Sequence, residues 1–322
     1  MKRLSGLVDW LMRLKERVQS WPWLHNRWLR IGVQALVVLF CLLYLAANLR
    51  SIREAQVTLN WGWVALSELC SIGSVLAGAL GWWLMLGALG QPLAWGEAAR
   101  IHVFANLAKY LPGYAWQLLG KAYLTRQAGV PGRAVAAAMI LELAQLVLGG
   151  LWLGALAWPG TLVPGWLGTV SLTGWLWAAR IGLLLILAGL PFAAAWLLKR
   201  QPKLAPDVRL MPWRMLAAGL VIVLGWLLLS LSYWVLGAAL RPLSLDQFGL
   251  FTFTLAASML IGLAVLIVPG SIGVRESIMV MILGPALGAP LAVIVAVLSR
   301  LVWTLSELLS ALGFRIHQRM GR

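Results

Sequence analysis

The chain has 322 residues, of which 61% are hydrophobic and 11% are charged, a composition that excludes an ordinary soluble α/β domain. Its apolar runs are continuous and reach the roughly 20 residues that a helix needs to span a bilayer, whereas barrel strands are short and alternate apolar with polar residues. The net charge of +16 comes from Lys and Arg between the apolar runs, as in cytoplasmic loops. We therefore predict an all-α polytopic membrane protein and no nucleic-acid partner.

Sites for metals, cofactors and familiar catalysis are not indicated. The two cysteines, Cys41 and Cys70, lie in apolar runs, and the histidines His25, His102 and His317 are far apart in the chain, so neither a disulfide framework nor a metal cluster is predicted. The sequence contains no Gly-rich nucleotide loop, paired-Asp motif or Ser/His/Asp set. We expect no cofactor, no metal and no catalytic residue, and a transporter rather than an enzyme.

In chain order, the first element is a basic amphipathic helix over residues 1–30, with Leu and Val at helical spacing and Lys or Arg on the remaining surface. A first membrane repeat, 31–160, and a second, 161–322, follow. About six full spans are predicted, at 31–49, 61–89, 134–158, 175–198, 213–240 and 290–314.

Two further segments, 97–126 and 246–284, are too charged or too interrupted to be plain spans. Each contains a Pro-Gly pair, Pro112-Gly113 and Pro269-Gly270, separated by 157 residues. Proline removes a backbone donor and glycine tolerates unusual dihedral angles, so each pair is predicted to end one helix and allow another to begin. We interpret both segments as re-entrant helical hairpins.

The order of spans and hairpins predicts an inverted-topology repeat, a plan in which transporters place broken helices and the substrate near the membrane midplane. With a cytoplasmic N-terminus, about 20 of the 26 Lys and Arg residues fall on the cytoplasmic side, which favours this orientation for both termini and a bacterial-type inner membrane. An oligomer is also possible, since small residues in the span at 61–89 permit close helix approach.

Polar residues at helical spacing identify a candidate substrate site in the first hairpin. Before the break these are His102, Asn106 and Lys109, and through and after it they are Tyr110, Tyr114, Gln117 and Lys121. With helix N-termini at the break, the two lysines could hold a phosphate. The alternative is that these residues reach the membrane interface and only anchor an interfacial helix pair.

The second hairpin and the last span carry ionisable residues within apolar surroundings, where an unpaired charge costs roughly 2.5–3.5 kcal/mol. Adjacent residues point apart on a helix, so Arg275 and Glu276 are not expected to pair with each other. Arg300 and Glu307 lie on one face of the last span, and we expect Arg300 to meet Glu142 or Glu276. The carboxylates Glu142, Glu276 and Glu307 would balance the charge of the cations, or they could belong to purely structural ion pairs.

The stretches ANLAKYLPG, GKAYLTRQAGV and VPGSIGVRES, together with Glu142 and the Arg300–Glu307 region, resemble the lysylphosphatidylglycerol synthase transmembrane region family. That family includes the flippase-type membrane half of the multiple peptide resistance factor and stand-alone relatives. The resemblance implies movement of an aminoacylated or related anionic lipid between leaflets. Similar regions also accompany polyprenyl-phosphate glycosyltransferases.

The leading hypothesis is a lipid translocase for an anionic phospholipid or a polyprenyl-phosphate derivative, with Lys109, Lys121, Arg275 and Arg300 around the phosphate. Two alternatives stay open at this point. One is a membrane-embedded headgroup transferase that uses Glu142 or Glu276 as general base. The other is a non-catalytic membrane partner of a lipid-modifying enzyme such as a glycosyltransferase.

Overall fold

The computed structural model describes residues 58–110, 115–159, 172–200, 208–264 and 273–320. The predicted N-terminal amphipathic helix, the span at 31–49, Tyr114 and both Pro-Gly pairs lie outside these ranges and stay predictions. The side chain of Tyr110 is likewise outside the described part of the chain.

Within those ranges the chain forms nine helices and no strand, which confirms the all-α fold. A 3-10 turn, Ala108–Tyr110, continues the second helix toward the first Pro-Gly pair. The helices are α1 (Trp61–Ala88), α2 (Trp95–Leu107), α3 (Ala115–Gln127), α4 (Gly132–Leu156), α5 (Leu172–Arg200), α6 (Pro212–Ala238), α7 (Gln247–Ala264), α8 (Val274–Leu287) and α9 (Ala289–Met320).

Six of the described helices are long and apolar enough to cross a membrane: α1, α4, α5, α6, α7 and α9. Five of them correspond to predicted full spans. The sixth, α7, was assigned from sequence to the second hairpin, and the predicted span at 31–49 lies outside the described ranges. The protein is thus a multi-pass membrane protein, with one more membrane-length helix in its second half than the sequence interpretation assigned.

The longest helix contact joins α1 and α6, which run antiparallel. Ser67 Oγ lies 3.0 Å from Ser232 Oγ, and Ser74 Oγ donates to the Gly225 carbonyl oxygen (2.9 Å). Small residues at these crossings let the two backbones approach closely. At the two ends, backbone N–H groups donate to carbonyls across the pair, Asn60 to Ala239 (2.9 Å) and Met211 to Ala88 (2.7 Å).

The remaining contacts arrange the other helices in corresponding ways around this pair. Helix α2 packs on α1 and on α3, as α7 packs on α6 and on α8. Helix α9 contacts α1 and α2, as α4 contacts α6 and α7. An inverted repeat would produce this pattern, although the repeat and the re-entrant path of the hairpins remain predictions. The pairs α2/α3 and α7/α8 are called hairpin 1 and hairpin 2 below.

Candidate functional site

The polar residues predicted on the two helices of hairpin 1 face each other. The side-chain amides of Asn106 and Gln117 hydrogen-bond across the hairpin (2.8 Å), and His102 Nε2 lies 3.0 Å from the Asn106 amide. Lys121 Nζ lies 3.2 Å from His102 Nδ1. Residues at i and i+4 on each helix, His102 and Asn106 on α2 and Gln117 and Lys121 on α3, therefore form one continuous polar strip between the two helices.

Lys121 connects this strip to α4 through an ion pair. Its Nζ lies 2.6 Å from both carboxylate oxygens of Glu142 and 3.9 Å from the centroid of the Trp82 ring. Lys121 is only 5% exposed, so the aromatic face and the carboxylate together replace the water that the ammonium group loses. Glu142 thus balances a cation, as predicted, and its partner is Lys121 rather than Arg300.

Gly78 on α1 makes room for this cluster. A Cβ atom at position 78 would lie 2.9 Å from His102 Nε2, closer than side chains pack. The imidazole therefore rests against the α1 backbone, and no larger residue fits there unless the ring moves.

On the other side of hairpin 1, Lys109 reaches α9. It forms an ion pair with Glu307, whose Oε1 also accepts from the indole Nε1–H of Trp303 (2.8 Å). Glu307 is 1% exposed, and the Lys109 ammonium lies 4.7 Å from the Trp303 ring centroid. The carboxylate and the ring face together hold Lys109 at the end of the 3-10 turn that leads to Pro112.

Hairpin 2 and α9 each bring one more cation to the same region, Arg275 on α8 and Arg300 on α9. The Arg275 guanidinium lies 5.8 Å from the Trp303 ring centroid, and Arg300 Nη1 bonds to Glu276 Oε1 (2.6 Å). Both arginine charges lie close enough to the ammonium group of Lys109 to repel it. The expected meeting of Arg300 with Glu276 is confirmed.

The start of α8 fixes Glu276 in place. Gly273 adopts φ +83° before the helix, a conformation that favours glycine. Its N–H donates to Glu276 Oε2 (2.7 Å), so one carboxylate oxygen caps the helix while the other binds Arg300. Arg275 then projects from the adjacent position toward Trp303.

The two hairpins converge at Trp303, because the indole contacts Lys109 from hairpin 1 and Arg275 from hairpin 2. We give the name cation cluster to this convergence together with the ion pair of Arg300 and Glu276 and, on the other side of hairpin 1, the ion pair of Lys121 and Glu142. Among the described residues it contains four cations, Lys109, Lys121, Arg275 and Arg300, and three carboxylates, Glu142, Glu276 and Glu307. Guanidinium and ammonium groups with little water around them form strong charge-assisted hydrogen bonds with phosphate oxygens.

The sequence analysis singled out neither Trp303 nor Trp82, and it did not include Glu68 among the candidate site residues. In the structure Glu68 on α1 accepts from Ser306 on α9 (2.9 Å), beside the buried Glu307. A signal for Trp303 existed, since it follows Arg300 by three residues and precedes Glu307 by four, on the same helix face.

A family model described as the lysylphosphatidylglycerol synthase TM region matches residues 28–310. The chain belongs to the lysylphosphatidylglycerol synthase transmembrane region family. The match confirms the resemblance stated from the sequence, and it contains every residue of the cation cluster. Among curated proteins, no match to the chain was found.

Proposed function

We propose that the protein is a lipid translocase, not an enzyme, that moves an anionic phospholipid or a polyprenyl-phosphate-linked headgroup between the leaflets of the bacterial-type inner membrane. The observation that supports it most is the contact of one indole, Trp303, with cations from both hairpins. A phosphate held there would join the two hairpins through charge-assisted hydrogen bonds.

The pairing of the cations suits transport better than permanent binding. Lys109, Lys121 and Arg300 each have a carboxylate partner, so a phosphate would exchange with an existing partner instead of filling an unopposed positive site. Conduction requires binding that is strong enough for entry and weak enough for release. In this proposal the carboxylates compete with the lipid and supply that balance.

The same pairing argues against acid–base chemistry at these carboxylates. A general base needs an oxygen within reach of the proton it abstracts. Both oxygens of Glu142 bind Lys121, and those of Glu276 bind Arg300 and the Gly273 N–H.

In the proposed transport cycle, rocking of one half of the protein against the other exposes the cation cluster to each leaflet in turn, while the acyl tails stay in lipid.

The experiment is reconstitution in liposomes that contain a fluorescent phospholipid, with a membrane-impermeant quencher added outside. Movement between leaflets appears as label that becomes accessible over time. Arg275→Met should slow it by roughly 10- to 100-fold, since a hydrogen bond to a charged group is worth about 1.5–3 kcal/mol. The matched control is Arg126→Met, because Arg126 is exposed on α3 and lies outside the cluster.

Equal rates in empty and protein-containing vesicles, across phosphatidylglycerol, an aminoacylated lipid and a polyprenyl-phosphate sugar, would contradict the proposal. Chemical change of the added lipid, detected by mass spectrometry, would point to the headgroup transferase instead.

A further inference from the structure

The buried histidine of hairpin 1 lies beside the ion pair of Lys121 and Glu142. His102 is 8% exposed. Its Nδ1 is 3.2 Å from Lys121 Nζ and 3.7 Å from Glu142 Oε1, and its Nε2 is 3.0 Å from the Asn106 amide. Three ionisable groups from three helices, α2, α3 and α4, thus meet in one place.

Among the described residues, Lys109 is a further charge that acts on the ring. Helix α1 presents Gly78 to it and the Trp82 indole to Lys121. Lys109, at the end of the same hairpin helix, acts on the imidazole only electrostatically and is itself paired with Glu307 of α9.

Hydrogen-bond accounting defines the protonation state of this arrangement. An ammonium group only donates, so Nδ1 of His102 must accept from Lys121, and the neutral ring carries its proton on Nε2. As placed, the Asn106 amide nitrogen faces His102 Nε2 (3.0 Å) and Gln117 Nε2 donates to Asn106 Oδ1 (2.8 Å). With both amides turned end for end, the Nε2–H donates to the Asn106 oxygen, and the Asn106 nitrogen donates to the Gln117 oxygen. Amide oxygen and nitrogen are interchangeable in such an assignment, and the 3.0 and 2.8 Å contacts fit it.

Departure of Lys121 would upset this balance. If its ammonium turned toward a lipid phosphate, Glu142 would be a partly buried carboxylate without its cation, which is strongly unfavourable. The vacated Nδ1 lone pair of His102 lies 3.7 Å from Glu142 Oε1. A proton bound there gives an imidazolium that replaces Lys121 as the partner of Glu142 with little movement.

We propose that His102 takes up a proton when Lys121 binds the lipid phosphate, and that it releases the proton when Lys121 returns to Glu142. The proton comes from water and binds the Nδ1 lone pair, so each charge is paired in both states. One phosphate charge enters with one proton, which makes loading of the site electroneutral and links lipid movement to a proton gradient. This inference rests on the proposed function and assigns it an energy source.

Proton uptake on lipid binding tests the inference directly. Calorimetric titration of the purified full chain with a soluble short-chain phosphatidylglycerol, in two buffers of different ionisation enthalpy near pH 7, gives the number of protons bound per lipid. We expect about one proton per lipid for the wild type, because one imidazole is protonated for each phosphate that is bound. His102→Asn keeps an acceptor for Lys121 but cannot take the proton, so it should bind lipid more weakly than the wild type does, with proton uptake near zero.

His317→Asn is the matched control and should keep the wild-type uptake. Lipid binding without proton uptake in the wild type, or unchanged uptake in His102→Asn, overturns this inference and leaves the translocase proposal standing. Absence of binding for every anionic lipid tested overturns both. His102→Gln serves if the Asn variant does not fold, and absence of proton uptake in the wild type overturns the inference without any variant.

Discussion

The pair of Glu276 and Arg300 allows a structural role to be separated from a role in lipid movement. In Glu276→Gln the amide oxygen still accepts from the Gly273 N–H, so the cap of α8 survives while the charge is lost. Removing one member of a fully buried pair costs about 3–5 kcal/mol. The Arg300 side chain is 22% exposed, and water reduces that cost, so we expect about 2–3 kcal/mol of lost unfolding free energy.

Arg300→Met should cost a similar amount, because it strands the carboxylate. The double variant leaves no uncompensated charge, so we expect its unfolding free energy to fall by only about 2 kcal/mol. The losses in the two single variants add up to about 5 kcal/mol. The difference, about 3 kcal/mol, is the coupling energy of the pair. Unfolding in denaturant, followed by the fluorescence of the tryptophans, measures all three. The double variant should nevertheless move lipid slowly, since one cation of the cluster is gone.

The matched control is the pair of Glu97 and Arg100 on α2, which are 4.0 Å apart with exposed or half-exposed side chains. Its coupling energy should stay below about 0.5 kcal/mol. A Glu276–Arg300 coupling as small as this one would refute the reasoning about burial. A stable double variant with wild-type lipid movement would assign the pair a structural role alone.

Two further predictions concern packing and the indole. Gly78→Ala should lower the unfolding free energy by about 1–2 kcal/mol in a denaturant titration, because the new methyl group meets His102. The control Gly182→Ala has open space around the new methyl group and should be neutral or slightly stabilising. Equal effects of the two substitutions would contradict the contact between position 78 and His102. Trp303→Leu should slow lipid movement in liposomes more than Trp303→Phe does, since phenylalanine keeps an aromatic face for Lys109. Equal rates in those two variants would exclude a cation–π contribution.

Much of the fold follows from the sequence because it depends on local patterns. Apolar runs fix which segments form membrane-length helices, and five of the six long helices lie where the runs predict. The second hairpin was less well predicted. An apolar run with few charges has the same sequence pattern in a helix that crosses the membrane and in a helix that turns back within it. Helix α7 therefore has the length and hydropathy of a span, although its sequence was assigned to a hairpin.

The site was predictable along each helix and not between helices. Helical spacing grouped His102 with Asn106 correctly, because neighbours at i and i+4 need only one helix. The partner of Lys121 lies 21 residues away on α4, and its choice depends on how the helices cross. For Arg300 the sequence indicated two carboxylates as possible ion-pair partners, Glu142 and Glu276. The packing of α8 against α9 brings Glu276 to it.

Tryptophan was the least informative residue type in the sequence. The chain contains 20 of them, and most membrane tryptophans are interfacial, so composition gave no reason to single out one. Trp82 is fully buried against Lys121, a contact between α1 and α3 that no local spacing encodes.

Leaflet exchange by the reconstituted protein tests the central claim most directly. Liposomes with the wild-type chain, Lys109→Met, Arg275→Met and the control Arg126→Met should be compared under one protocol with fluorescent anionic lipid. The account predicts fast exchange for the wild type and the control, and exchange slower by roughly tenfold or more for the two cluster variants. Exchange that is equally fast in all four proteins would contradict the role of the cation cluster, and exchange no faster than in empty vesicles would contradict the translocase itself.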